Sequence, residues 1–137
     1  MKTITTTGTL SLLLFICMSA SPIKENQISV SQINKVAVSP SFDFFRTHHQ
    51  GRGITATWGL TSNAGVSGFV VRKTNEDPTD EYAEWQTVSS SPCTASRSNK
   101  CTDNNVLPGF TSYQVIAVMT DGTTMASEIS TERVVSH

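Results

Sequence analysis

Val106-Leu-Pro-Gly-Phe-Thr-Ser-Tyr-Gln-Val-Ile-Ala-Val118 is the stretch on which the fold turns. A Pro-Gly corner introduces one tyrosine, and strict alternation follows it. Tyr113, Val115, Ala117 and Met119 fall two residues apart, the period of a strand with one buried face. Where a chain crosses from one sheet of a sandwich to the other, a tyrosine at the start of the receiving strand can bury its ring. Its hydroxyl then bonds back to the crossing backbone. Leu107, Pro108 and Gly109 are the expected crossing, and Tyr113 the residue that pins it.

Working outward, similar alternation recurs from Phe42 onward, punctuated by turn residues. Phe42–His49 is a first expected strand, ended by Gln50-Gly-Arg-Gly53. In Ile54–Leu60, Ile54, Ala56 and Trp58 alternate with Thr55 and Thr57, which predicts one buried and one wet face. Gly68–Thr74 places Phe69 and Val71 together, with Val70 and Arg72 opposite. Tyr82–Ser89 and Cys101–Val106 follow. Tyr113–Thr120 and Thr124–Val135 flank Asp121-Gly122, which predicts a type I′ hairpin with positive φ at both central positions. No stretch holds apolar spacing at 3.6 residues. The expectation is an all-β, immunoglobulin-like sandwich of about seven strands.

The 137 residues are one domain's worth of chain, with a formal net charge of -1. The scattered Lys and Arg make no basic stripe, so no nucleic-acid partner is expected. Residues 1–20, MKTITTTGTLSLLLFICMSA, have the layout of a cleaved signal peptide: an early lysine, a short apolar run, then small residues. The run is shorter than the ~20 residues that span a bilayer, so no membrane span is expected. Ile16 before Cys17 does not suit a lipoprotein signal. The expected location is therefore the medium or the cell envelope. Residues 21–40, sparse in apolar side chains and bounded by prolines, read as a linker or loosely ordered arm, with 41–137 as the domain.

Removal of the signal leaves Cys93 and Cys101. In an exported chain two thiols are expected to pair, here as a local clip contributing roughly 2.5 kcal/mol at most. A zinc site would need further ligands.

The order Trp58, Gly68-Phe-Val-Val-Arg-Lys73, the Leu107 to Tyr113 corner and a closing strand introduced by Ser127 resembles fibronectin type III domains, particularly those of secreted bacterial proteins. The resemblance covers roughly two-thirds of the chain. It implies an A-B-E sheet packed on a C′-C-F-G sheet, with Trp58, Leu107 and Tyr113 as landmarks of the fold. Two features depart from the family's pattern: Pro108 stands one residue early, and most members lack disulfides. The resemblance also implies an adhesive, spacing or recognition role. The loop between the last two strands, Thr120-Asp-Gly-Thr-Thr124, holds no Arg-Gly-Asp, so integrin-type recognition is not expected.

Candidate sites follow from residue type. Glu76, Asp77 and Asp80, with Glu81 and Glu84, could hold calcium through hard oxygen ligands, although no EF-hand spacing is present; otherwise the loop is simply solvated. No cofactor and no other metal is expected. His48 and His49 point to opposite faces of a strand and read as solvated. Trp85 and Tyr82 could stack on a sugar, but their odd spacing turns them apart on a regular strand. Val70, Ile116 and Val118 face outward on the expected C-F-G sheet and are candidates for a docking face. No nucleophile elbow is present, and no enzyme is expected. The function expected is a secreted, noncatalytic protein-binding or adhesion module with an unknown protein or cell-surface ligand. The alternative is a carbohydrate-binding accessory protein using Trp85 and loop residues. Arg97 or Lys100 on the loop between the cysteines would suit a small protease inhibitor.

Overall fold

A computed structural model of the chain describes residues 39–136. The expected signal peptide and nearly all of the expected arm lie outside the described residues. Eight strands follow in order: β1 (Phe42–Gln50), β2 (Gly53–Leu60), β3 (Val66–Thr74), β4 (Gln86–Pro92), β5 (Ser98–Asp103), β6 (Gly109–Met119), β7 (Thr124–Ala126) and β8 (Ser130–Val134). One sheet has the order β1-β2-β5, and the other β4-β3-β6-β7 with β8 also paired to β6. All pairings are antiparallel. This is an immunoglobulin-like sandwich, with the A-B-E and C′-C-F-G strand order of the fibronectin type III topology.

The apolar alternation is what builds the core. Ala56, Trp58, Leu60, Val66, Phe69, Val71, Val115 and Ala117 form one buried cluster, with Phe42, Phe45, Met119 and Met125 packed against it. Burying each large apolar side chain stabilises the fold by roughly 1.5–3 kcal/mol. Trp58 of one sheet meets Phe69 of the other edge to face, with ring centroids 5.5 Å apart. The indole Nε1 of Trp58 is buried with no hydrogen-bond partner among the described residues. A register shift between Phe42 and Phe44 breaks the alternation of β1. Phe42 and Phe45 therefore both reach the core.

Several local expectations are corrected. Tyr82–Trp85 is not strand, because the acidic loop before β4 is wound by its own carboxylates. Thr79 N–H donates to Asp77 Oδ1 and Tyr82 N–H to Asp80 Oδ1, both at 2.9 Å, and Glu84 N–H donates to Glu76 Oε2 at 2.8 Å. Such side-chain bonds compete directly with a sheet ladder. At Asp121-Gly122 the φ of Gly122 is +87°, while no residue other than glycine has positive φ among the described residues. The turn is therefore not type I′. Gly122 N–H donates to Met119 O and Met119 N–H to Thr123 O, the pattern of a type I turn closed by a glycine bulge. Thr55, expected on a wet face, is buried under hydrogen bonds from its hydroxyl to Gln50 Oε1 (2.7 Å) and with the Thr102 hydroxyl (2.9 Å).

The expected last strand is divided into β7 and β8 at Ser127. Ser127 N–H donates to Val115 O, and its Oγ accepts from Val115 N–H at 2.9 Å while donating to Glu128 O. The hydroxyl thus supplies the acceptor that an unbroken strand would have offered.

Antiparallel register gathers the loops at two poles. The Gln50–Gly53 turn, the 75–85 loop, the 104–108 corner and the end of β8 share one pole. The loops 61–65, 93–97 and 120–123 share the other. One edge of the sandwich is closed by Thr47 of β1, whose hydroxyl donates to Glu132 Oε1 at 2.6 Å and lies 2.6 Å from the Ser130 hydroxyl.

Candidate functional site

The sequence places Phe69, Val71 and Lys73 on the same face of β3, which directs a lysine into the sandwich. Tyr113 is its partner on β6, and Asp103 lies on β5 of the facing sheet. Lys73 Nζ donates to Asp103 Oδ2 at 2.6 Å and also to Asn105 O. Tyr113 Oη donates to the same Oδ2 at 2.9 Å, and Asn105 N–H donates to Oδ1 at 2.9 Å. Lys73 is 8% exposed and Asp103 6%. The carboxylate thus accepts from two side chains of the facing sheet and from the loop that follows its own strand. Burial first, and then the bond to Asp103, raise the Tyr113 phenol well above its ordinary range.

This arrangement revises the expected corner. Tyr113 is fully buried opposite Trp58's sheet, but its hydroxyl bonds to a carboxylate side chain and not to the crossing backbone. Leu107, expected as a landmark, is 62% exposed. Asp103 and Lys73 anchor the crossing from within, so the corner residues need not fold inward.

The outer face of the five-stranded sheet carries Val70, Ile116 and Val118, which the structure brings together as cross-strand neighbours. Val70 pairs with Ile116, and Val118 with Gly68. All three are half-buried by their neighbours. Beside them a groove of about 350 Å³ runs along β4, lined by Gly68, Val70, Ser91, Pro92 and Val118. A Cβ at Gly68 would lie 2.7 Å from Ser91 O, so only glycine lets β4 approach this closely. Further along this face Arg72 donates to Gln114 Oε1 at 2.6 Å, and Gln114 Nε2 donates to Ser127 O at 2.9 Å. The Arg72 guanidinium also stacks 4.6 Å from the Trp85 ring centroid. One face of Trp85 is thereby occupied. Tyr82 is 82% exposed, in the acidic loop.

The calcium candidates do not converge. Glu76, Asp77 and Asp80 each accept a backbone N–H of their own loop, and among the described residues no group of three or more His, Cys, Asp or Glu side chains is arranged to hold an ion. Hydrogen bonds from Thr79 hold the Asp77 carboxyl below its usual range. His49 Nε2 lies 3.5 Å from Glu132 Oε2, and His48 is exposed. Among the described residues no helix is long and apolar enough to cross a membrane.

The expected disulfide is not formed: Cys93 and Cys101 are free. Cys101 sits on β5 within hydrogen-bonding reach of Ser89 on β4. Cys93 lies four residues beyond Ser89, about 13 Å along an extended chain, against the 4.4–6.8 Å between Cα atoms that a disulfide needs. The segment between the cysteines crosses from one sheet to the other and is not a local clip. Burial raises both thiols above their ordinary range.

Lys73, Asp103, Arg72, Gln114 and Glu132 were not among the sequence-derived candidates. For Lys73 the signal was present, since a lysine in phase with Phe69 and Val71 must be paired or distort the strand. For Asp103 none was visible, because its partners come from the other sheet.

No family model matches the chain, and no curated protein does. Among solved structures it is similar to pectate lyase Pel3 from Pectobacterium carotovorum, with a TM-score of 0.52 and 12% identity over 68% of this chain. It is also similar to OgpA from Akkermansia muciniphila, with a TM-score of 0.50 and 15% identity over 69% of this chain. In each case the chain spans 27% of the other's length. A myokine matches with a TM-score of 0.46 and 16% identity, over 67% of this chain and 93% of that one. At these identities the likeness is one of fold.

Proposed function

We propose that the chain is an exported, noncatalytic binding module that engages a protein or cell-surface ligand through the outer face of its five-stranded sheet. The observation that carries this reading is the cluster of Val70, Ile116 and Val118 beside the groove along β4. A solvent-facing sheet has no need of three adjacent β-branched side chains, and an edge strand with free backbone groups next to them suits a ligand that pairs and packs at once. The sandwich likeness to Pel3 and OgpA, each matched over 27% of its length, fits a unit that also occurs as part of larger chains.

The test is capture of surface ligands from the host by the purified protein and by its Val70→Glu and Val118→Glu variants. Both positions are half-buried on the outer face, so the variants should fold. Ligand bound by the parent and lost in both variants supports the reading; equal capture by all three rejects it.

A second reading is carbohydrate contact at the 75–85 loop, favoured by the exposed ring of Tyr82. Trp85 can add only its free side, since Arg72 covers the other. Quenching of tryptophan emission by oligosaccharides, abolished in Tyr82→Ala, is the result this reading requires.

A further inference from the structure

The large apolar side chains that the fold leaves in solvent are not spread evenly. Tyr82 (82% exposed), Leu107 (62%), Phe110 (64%) and Val135 (55%) come from three separate segments, and all lie at the pole that holds the 75–85 loop and the 104–108 corner. Ile129, at 41%, is the one other exposed large apolar residue among those described. Scattered apolar exposure is ordinary, but a group assembled at one pole from three segments marks a contact surface.

Charge at this pole is divided in a definite way. The 75–85 loop carries Glu76, Asp77, Asp80, Glu81 and Glu84 and no Lys or Arg. On the other side stand Arg133, 5.9 Å from the Phe110 ring, and Arg52 and His49, which line a cleft of about 370 Å³ with Val106, Pro108, Val134 and Val135. His49 faces Glu132, while Arg52 and Arg133 have no ion-pair partner among the described residues. Phe110 lies between the halves: Asn75 Nδ2, at the start of the acidic loop, donates to Phe110 O at 3.2 Å, and Arg133 is its partner on β8. The order across the pole is acidic, apolar, basic.

A surface with that order is complementary to itself after rotation by 180° about an axis through its centre. Apolar then meets apolar, and each acidic loop meets the other copy's basic side, which is the pattern of an isologous interface. We propose that this pole is a self-association surface whose occupant is a second copy of this chain, docked pole to pole about a two-fold axis through the Leu107–Phe110 corner. This surface is distinct from the groove by Val118, which lies at the opposite end of β6, so the two proposals stand or fall separately.

The test uses protein purified from cells expressing the full chain, by sedimentation equilibrium at about 0.05 M and about 1 M salt. A dimer whose dissociation constant rises on the order of tenfold or more at high salt is expected. Two variants sharpen the test: Arg52→Glu with Arg133→Glu makes the pole acidic throughout, and Glu81→Lys with Glu84→Lys cuts the formal charge of the 75–85 loop from -5 to -1. Each alone should dimerise on the order of tenfold or more weakly, and an equimolar mixture should restore a dimer containing one of each. Circular dichroism checks that these exposed changes leave the fold intact, and Val118→Glu should dimerise like the parent. A monomer at all concentrations, an open-ended assembly, failure of the mixture to pair, or loss of the dimer in Val118→Glu would overturn the proposal.

Discussion

Asp103 is the residue on which the two sheets agree about their separation. It accepts from Lys73 and Tyr113 of one sheet while standing on the other, and with both partners near-fully buried the cost of breaking the set is large. Lys73→Met strands the carboxylate and should cost about 3–5 kcal/mol in chemical denaturation. Lys73→Met with Asp103→Asn removes both charges yet leaves an acceptor for Tyr113, and should be less destabilised than the single variant. The pH response follows from the phenol. Because Tyr113 holds its proton in the folded chain to higher pH than when unfolded, its contribution is complete below about pH 10. It falls away as pH rises beyond that, since the unfolded chain then binds fewer protons. Denaturation midpoints measured from pH 8 to 11 should drop, and Tyr113→Phe should flatten that drop at a cost of about 1–3 kcal/mol near neutrality. At this scale the sequence was half legible. Tyr113 and Trp58 announce themselves by phase and size, but an aspartate in a polar run, Cys101-Thr-Asp-Asn-Asn105, shows its role only when the facing sheet is in place.

Ser127 shows how an interrupted strand can keep its ladder. Its hydroxyl accepts the buried Val115 N–H where β7 has ended and β8 has not begun. Ser127→Ala should leave that amide without a partner and cost about 1–3 kcal/mol. Hydrogen exchange should then accelerate at Val115 before the rest of β6. The strands β2, β3 and β6 were readable because burial enforces the period of their inward residues, and β1 was readable in spite of its register shift after Phe42. The errors fell where short-range polar chemistry prevails. Carboxylate-capped turns replaced a strand at Tyr82–Trp85, and Asp121 kept negative φ by accepting from Thr123 N–H at 2.9 Å. The break at Ser127 had no apolar signature at all.

On the scale of the whole molecule, the fold class was legible and the covalent frame was not. Two cysteines eight positions apart suggested a clip, but sheet topology puts one at the end of β4 and the other inside β5. The folded protein should therefore retain the mass of its reduced form, and both thiols should react with a disulfide reagent. Cys101, whose thiol burial and then the nearby Asp103 carboxylate raise, should react more slowly than the more shallowly buried Cys93, and unfolding should equalise the two. The candidate surfaces divide the same way. The outer-face valines could be read from alternation, whereas the gathering of Tyr82, Leu107, Phe110 and Val135 depends on which loops share a pole.

The unpartnered indole N–H of Trp58 has a practical consequence. An indole sealed in hydrocarbon emits at the blue end of its spectrum, while Trp85, beside a guanidinium and partly in water, emits further to the red. The protein thus carries two separable optical signals, one reporting the integrity of the interior and the other the occupancy of its surface.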